Sequence, residues 1–205
     1  MTHPVPVPTS SSKKNRLNIP LIWLGGSLPL FILVVRATMD KLTANPIEFV
    51  SQFTGWWTLF FLMLTLSVTP IRQIFNIPFI FPLRRALGLI TFFYSLAHFL
   101  SWLVLDQYFH WAEILMDLTE RPFIYFGFTA FFGLLILAIT SVTSIKVILG
   151  PMRWRRLHRI LYIIAILGVI HFFMLVKLDV TEPLIFAAVL CLLLGYRLFF
   201  LVRKK

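Results

Sequence analysis

Three histidines in or beside long apolar stretches are the side chains of this 205-residue chain best placed for chemistry. His98 lies inside one such stretch, and His158 and His171 bracket another. An ionisable side chain within a membrane segment is costly and marks a functional site by default. His3 and His110 lie in polar segments, where we predict that they are solvated.

The elements that must position these histidines are apolar helices. Apolar residues make up 59% of the chain, against about 45–50% in an average soluble domain, so lipid must solvate much of its surface. Six stretches approach the roughly 20 residues that cross a bilayer. They are residues 17–35, 53–70, 86–105, 122–140, 160–176 and 183–202. The sequence predicts an all-α integral membrane protein, a six-transmembrane-helix bundle formed by residues 17–202 after a disordered cytoplasmic tail of residues 1–16.

The charged residues of the connecting segments fall into two groups that alternate along the chain. The first group has a net charge of +15 and no acid, and the second has −4, which together account for the formal net charge of +11. The first contains Lys13, Lys14, Arg16, Arg72, Arg84, Arg85, Lys146, Arg153, Arg155, Arg156, Arg159, Arg197, Arg203, Lys204 and Lys205. The second contains Arg36, Lys41, Arg121, Lys177, Asp40, Glu48, Asp106, Glu113, Asp117, Glu120, Asp179 and Glu182. The positive-inside rule predicts that the first group and both termini are cytoplasmic.

The depths of His98 and His171 are predicted to be similar. His98 lies 8 residues before the external Asp106, and His171 lies 6 residues before the external Lys177. At about 1.5 Å per residue, both fall in the external half of the bilayer. Two neutral imidazoles facing each other there can supply both axial ligands of a b-type haem iron. The alternatives are two histidines hydrogen-bonded across helices, or metal transport, which would favour carboxylates within the membrane.

Small residues one turn away from the two histidines would leave space for a flat macrocycle. Ser95 lies three residues before His98, and Gly168 lies three residues before His171. Close packing of helices is the other explanation for Gly168.

His158 belongs to the cytoplasmic end, about 20 Å along the helix axis from His171 and roughly 140° around it. The positions on the helix of His98 that would face it hold Arg84 and Arg85 rather than histidine. A second haem there needs an unusual ligand or shared ligation, or it is absent. Contact with a lipid phosphate is the alternative role of His158.

Five arginines are candidates to bind haem propionates or the phosphate of flavin mononucleotide (FMN) through charge-assisted hydrogen bonds. They are Arg84, Arg85, Arg155, Arg156 and Arg159. Membrane topology and lipid anchoring explain the same arginines equally well.

Several classes of function are disfavoured by what the sequence contains. The single cysteine, Cys191, cannot form an intrachain disulfide or a C-x-x-C metal site. No G-x-G-x-x-G motif provides for a dinucleotide, so a redox protein of this sequence must receive electrons from a partner or from quinol. The basic residues segregate to one side of the membrane, which argues against nucleic acid.

Several motifs, taken in order, resemble the haem-binding subunits of methionine sulfoxide reductase systems in the ferric-reductase-like transmembrane superfamily. The resemblance covers roughly residues 17–202. The motifs are Thr54-Gly55-Trp56, Thr69-Pro70-Ile71-Arg72, Arg84-Arg85-Ala86-Leu87-Gly88-Leu89, Tyr94 with His98, Arg121-Pro122-Phe123-Ile124, and Trp154 to Tyr162 followed by His171.

The resemblance implies a haem b subunit of the bacterial inner membrane, with one or two haems and ligands at His98, His171 and His158. It implies electron transfer to a periplasmic molybdopterin-containing methionine sulfoxide reductase, MsrP, which repairs oxidised methionines. The donor is expected to be quinol or a cytosolic flavin reductase, with FMN and quinone as further cofactors. The chain is then an electron-transfer subunit rather than the catalytic one.

Three hypotheses follow for the whole protein. The first is the electron-transfer subunit, with the acidic external residues Glu113, Asp117 and Glu120 as the docking surface for its partner. The second is a stand-alone metalloreductase acting on chelated ferric iron. The third is a transporter or scaffold without a redox cofactor.

Overall fold

The computed structural model describes residues 14–176 and 178–203, and these residues form helices and short connections with no strand. The helices are α1 (Lys14–Thr38), α2 (Pro46–Ile74), α3 (Leu83–Leu100), α4 (Trp111–Glu120), α5 (Phe123–Ile139), α6 (Thr143–Leu157), α7 (Leu161–Leu175) and α8 (Thr181–Val202). A π-helical turn, Ser101–Asp106, continues α3, and 3-10 turns cover Pro78–Ile80 and His158–Ile160. Residues 1–13 of the predicted tail, with Lys177, Lys204 and Lys205, lie outside the described ranges.

Five described segments are long and apolar enough to cross a membrane. They are Ile19–Thr38, Pro46–Ile74, Pro78–Asp106, Thr143–Leu175 and Thr181–Phe200. A sixth crossing is present if α4 and α5, which meet at 110°, are taken as one broken span. The chain is therefore an all-helical multi-pass membrane protein, as predicted, and its orientation remains a prediction.

Two helices lie in segments that the sequence analysis took as connections. One is α4, a ten-residue helix that contains three acids, and the other is α6, which is interrupted at Gly150 where φ is +72°. Both are short and mix charged with apolar residues, so neither contains the roughly 20 apolar residues by which a crossing is recognised.

The central helix of the bundle is α2, which contributes to both hydrophobic clusters. In the larger cluster, Leu62 and Leu66 pack with residues of α5, α7 and α8, including the fully buried Ala165. In the smaller cluster, Phe61 packs with α3 and α1 around Tyr94. Most other large apolar side chains point outward, as expected where lipid replaces water.

Two polar contacts attach the outer helices to this centre. In α1, the Tyr94 hydroxyl donates to the Gly26 carbonyl at 2.8 Å and accepts from the Leu30 N–H at 3.2 Å, which bridges one turn. In α2, Pro70 has no N–H, so the Leu66 carbonyl lacks its helical donor. Arg197 of α8 donates to that carbonyl, which joins α8 to α2.

Candidate functional site

The structure brings His98 of α3 and His171 of α7 together between the helices. Their ring centroids lie 6.1 Å apart, and the ring planes meet at 77°. Both side chains line one large cavity. The sequence predicts a similar depth for these two residues, and in the bundle they are direct neighbours.

Backbone carbonyls of two other helices hold the two rings. His98 Nδ1 lies 2.9 Å from the carbonyl oxygen of Ser51, and His171 Nδ1 lies 2.8 Å from that of Phe123. A carbonyl oxygen can only accept, so each Nδ1 carries the proton. Nε2 of each ring is then an unprotonated nitrogen, and within the described ranges no side chain or backbone group is hydrogen-bonded to it. This is the form in which a neutral imidazole binds a metal.

A glycine from the neighbouring helix lies against each ring. A Cβ atom on Gly55 would lie 3.1 Å from His98 Cε1, and one on Gly127 would lie 2.9 Å from His171 Cε1. Both helices can approach the imidazoles only because these side chains are absent. Gly55 belongs to one of the motifs that carry the resemblance, but Gly127 has no such signal and was missed from the sequence.

The cavity that contains the two rings has a volume of about 1320 Å³. Ser95 and Gly168 line it, as expected of small residues beside the histidines. A Cβ atom on Gly168 would meet Leu59 Cδ2 at 3.1 Å, so this glycine also permits close packing. The cavity extends toward the segments that carry the acids, where its wall includes Glu48, Asp106, Arg121, Asp179 and Glu182.

The donor set of the cavity suits a metal that brings further ligands of its own. Its two imidazoles have ring centroids 6.1 Å apart, and each has Nε2 without a protein partner in the described ranges. No group of three or more His, Cys, Asp or Glu able to hold a bare ion occurs in the described part of the chain. Two neutral imidazoles that line one large, mostly apolar cavity are a donor set that would fit a b-type haem.

The helix carrying His98 changes geometry just beyond it. The π-helical turn begins at Ser101, whose hydroxyl donates to the His98 carbonyl at 2.8 Å. Turns of this kind occur frequently at functional sites. The next residue, Trp102, lines the cavity, and its buried indole Nε1 has no hydrogen-bond partner among the described residues. A bound group with an acceptor oxygen would satisfy this donor.

His158 lies at the opposite, basic end of the bundle. Its Nε2 is 3.2 Å from the Thr140 hydroxyl, and its ring stacks on Trp154 with centroids 4.0 Å apart. The Trp154 indole donates to the Thr140 carbonyl at 2.9 Å, and Lys146 Nζ lies 4.7 Å from the Trp154 ring centroid.

The five candidate arginines also lie at the basic end, and none of them lines the cavity of the histidine pair. Arg85 donates to the Ser141 carbonyl at 2.8 Å, and Arg84 is half-buried. Arg155, Arg156 and Arg159 are exposed. Their roles in binding haem propionates or an FMN phosphate remain predictions.

The three acidic residues of α4 differ in exposure and do not form one surface. Asp117 is 7% exposed, accepts a hydrogen bond from Gln107 at 2.8 Å and forms an ion pair with Arg121 at 3.3 Å. Asp117 thus differs in exposure from the other two acids of α4, and its role in docking a partner stays a prediction. Glu113 and Glu120 are exposed and keep that prediction open.

The structure belongs to the class of helical membrane bundles with a histidine pair inside them. Comparison with known proteins identifies the family. Residues 54–169 match the family described as "Ferric reductase like transmembrane component". The chain is 42% identical to a protein of Herminiimonas arsenicoxydans over 99% of its own length and 91% of the relative. It is 42% identical to one of Ralstonia nicotianae, over 89% and 85% of the two chains.

A third relative, from Rhodospirillum rubrum, is 41% identical over 91% of this chain and 86% of its own. All three relatives carry the name "Protein-methionine-sulfoxide reductase heme-binding subunit MsrQ". The chain belongs to the ferric-reductase-like transmembrane family, and within it to the MsrQ proteins.

Proposed function

We propose that this chain binds haem between His98 and His171 and carries electrons through the bacterial inner membrane to a methionine sulfoxide reductase. The names of its relatives support the haem and the reductase system. The observation that carries the proposal is the pair of imidazoles 6.1 Å apart, each with Nδ1 bound to a backbone carbonyl and Nε2 free.

Haem supplies a one-electron redox centre when it is bound, and the polypeptide does the rest. His98 and His171 present two neutral nitrogens, and the carbonyls of Ser51 and Phe123 keep the protons on the far side of each ring. These hydrogen bonds orient the rings and raise the basicity of Nε2. Much of the cavity wall is apolar, and the Trp102 N–H is available to an acceptor on the cofactor.

The proposed acceptor is MsrP, docking on the side where the histidine cavity approaches the acids. The charge asymmetry of the connecting segments supports this side as periplasmic and both termini as cytoplasmic. The proposed donor, quinol or a flavin reductase, follows from the resemblance, as do FMN and quinone as cofactors. The resemblance also carries His158 as the ligand of a second haem, at the basic end with Arg84 and Arg85.

The first test is the absorption spectrum of the purified protein, oxidised and dithionite-reduced, beside His98→Ala and His171→Ala. We expect a b-type haem spectrum in the wild type and its loss in both variants. His110→Ala is the matched control, because His110 is exposed and pairs only with Glu113 among the described residues. A colourless wild type made with adequate haem supply, or a spectrum that survives both substitutions, would overturn the proposal.

The metalloreductase alternative is separated by reducing the purified protein and adding acceptors one at a time. The acids in the wall of the cavity repel anionic chelates such as ferric citrate, which favours a protein acceptor. We expect fast reoxidation by MsrP and slow reoxidation by the chelate. The opposite order would support the metalloreductase.

A further inference from the structure

The helix α6 lies at the basic end and is not needed to cross the membrane. The 3-10 turn that begins at His158 and the following α7 together cover 18 residues, 158–175, or roughly 27 Å, close to the hydrocarbon thickness of about 30 Å. The preceding 15 residues of α6 are therefore surplus to the crossing. The hydrogen bond from Trp154 to the Thr140 carbonyl keeps α6 beside the end of α5. We place it at the level of the membrane interface.

The outer surface of α6 combines exposed apolar side chains with exposed cations. Val147, Ile148 and Met152 are 75%, 81% and 62% exposed, and they are large aliphatic or thioether side chains. Arg153, Arg155 and Arg156 are exposed as well. A water-facing helix would not keep its largest apolar residues uncovered, so hydrocarbon is expected to cover them.

No acidic residue lies close in sequence to the cations of α6. The chain contains no Asp or Glu between Glu120 and Asp179. In the described ranges none of the three arginines forms an ion pair. Whatever covers this surface must therefore provide anions and hydrocarbon side by side.

A backbone break divides the helix into two halves with separate faces. Gly150 has φ +72° and is followed by Pro151, and a Cβ atom at Gly150 would meet nothing within 4 Å. Glycine is thus required by the left-handed conformation and not by lack of space. The break allows Val147 and Ile148 to turn toward lipid independently of the arginine-rich second half.

We propose that α6 is a membrane-surface element that binds anionic phospholipid headgroups through Arg153, Arg155 and Arg156. It inserts Val147, Ile148 and Met152 at the boundary between headgroups and acyl chains. In-plane helices with an apolar face and a basic face bind anionic leaflets in this way. The inference is independent of haem, since none of these side chains lines the histidine cavity.

The test uses full-length protein in lipid nanodiscs, with the exposed Cys191 replaced by serine and an environment-sensitive fluorophore on Ile148→Cys. Discs of phosphatidylcholine alone are compared with discs containing phosphatidylglycerol. We expect a blue-shifted emission and quenching by the neutral quencher acrylamide weaker by at least about twofold when the anionic lipid is present. A label on Leu178→Cys, which is 99% exposed on the acid-bearing side, is the matched control and should not respond.

Combining the label with Arg153→Gln, Arg155→Gln and Arg156→Gln should abolish the dependence on phosphatidylglycerol, while thermal unfolding stays unchanged. A label that is equally quenched in both discs would overturn the proposal. So would a lipid dependence that survives the three substitutions, or a blue shift that appears only when an acidic electron-donor protein is added.

Discussion

The two ends of the bundle hold their histidines in opposite ways. At the cavity end, His98 and His171 are each bound through Nδ1 to a backbone carbonyl. At the basic end, His158 is bound through Nε2 to a threonine hydroxyl and stacked on an indole ring. The same residue type thus leaves Nε2 free of protein partners at one end and uses it in a hydrogen bond at the other, in the part of the chain that the structure describes.

The hydrogen-bond partners decide which nitrogen is free. The Thr140 hydroxyl has one proton and donates it to the Ile136 carbonyl, with 2.8 Å between Oγ1 and the carbonyl oxygen. The hydroxyl oxygen must then accept from His158, which places the proton on Nε2. His158 therefore presents Nδ1, whereas His98 and His171 present Nε2. Ligation of a second haem through Nε2 of His158 requires that this hydrogen bond be given up.

The largest effect, a loss of bound haem, is expected from enlarging the two glycines beside the histidine rings. Gly127→Ala forces a Cβ atom to within 2.9 Å of His171, and Gly55→Ala forces one to 3.1 Å from His98. We expect Gly127→Ala to lower bound haem by about half or more and Gly55→Ala to lower it less, because overpacking displaces the ring. Haem per polypeptide, measured as the pyridine haemochrome, checks this order.

Gly195→Ala is the control for both substitutions, since no atom lies within 4 Å of its Cβ position. Equal haem content in all three variants would show that the glycines do not support the rings. Loss of haem in Gly195→Ala as well would point to general damage of the bundle.

The basic end offers the second test, which concerns the number of haems. If His158 binds a second haem, His158→Ala should reduce the count from two to one and leave the spectrum of the His98–His171 site intact. Thr140→Val removes the competing hydroxyl, so it should keep or strengthen that second haem. A count unchanged by His158→Ala would restrict haem to the cavity end.

Hydropathy and charge in the sequence predict most of the fold and the pairing of His98 with His171. The depth of each histidine depends only on helical rise and on where charges begin, and both can be read from residue order. The carbonyls of Ser51 and Phe123 could not be predicted, because every residue has a carbonyl and only the packing of α2 and α5 selects these two. The burial of Asp117 could not be predicted either, because its partner Gln107 meets it only through the turn before α4.

The third test concerns a stabilising contact near the basic end. Arg197 of α8 donates a hydrogen bond to the Leu66 carbonyl of α2, which Pro70 leaves without a helical donor. Arg197→Met keeps an unbranched apolar stem at this position and removes the donor. We expect a loss of about 1–3 kcal/mol in the free energy of unfolding, typical of a hydrogen bond from a charged group. Thermal unfolding in detergent measures it, with the exposed Arg203→Met as control. Equal unfolding temperatures of the two variants would contradict the role of Arg197.

The smallest effect is expected at the two exposed glutamates of α4. Glu113→Lys and Glu120→Lys reverse two exposed charges, and they should slow electron delivery to the proposed acceptor, MsrP, about two- to fivefold at low ionic strength. The glutamine variants should fall between them and the wild type. Because screening weakens such steering, the differences should vanish in high salt.

Asp117→Asn is the variant to compare with the changes at Glu113 and Glu120. Asp117 is buried and holds Gln107 and Arg121, so its change should lower the unfolding temperature and leave a rate deficit that salt does not remove. A salt-sensitive deficit at Asp117, or none at Glu113 and Glu120, would mean that the partner docks elsewhere. A deficit that only the two exposed glutamates show would place delivery on the cavity side of the bundle, because α4 leads directly into the helix whose first carbonyl holds His171.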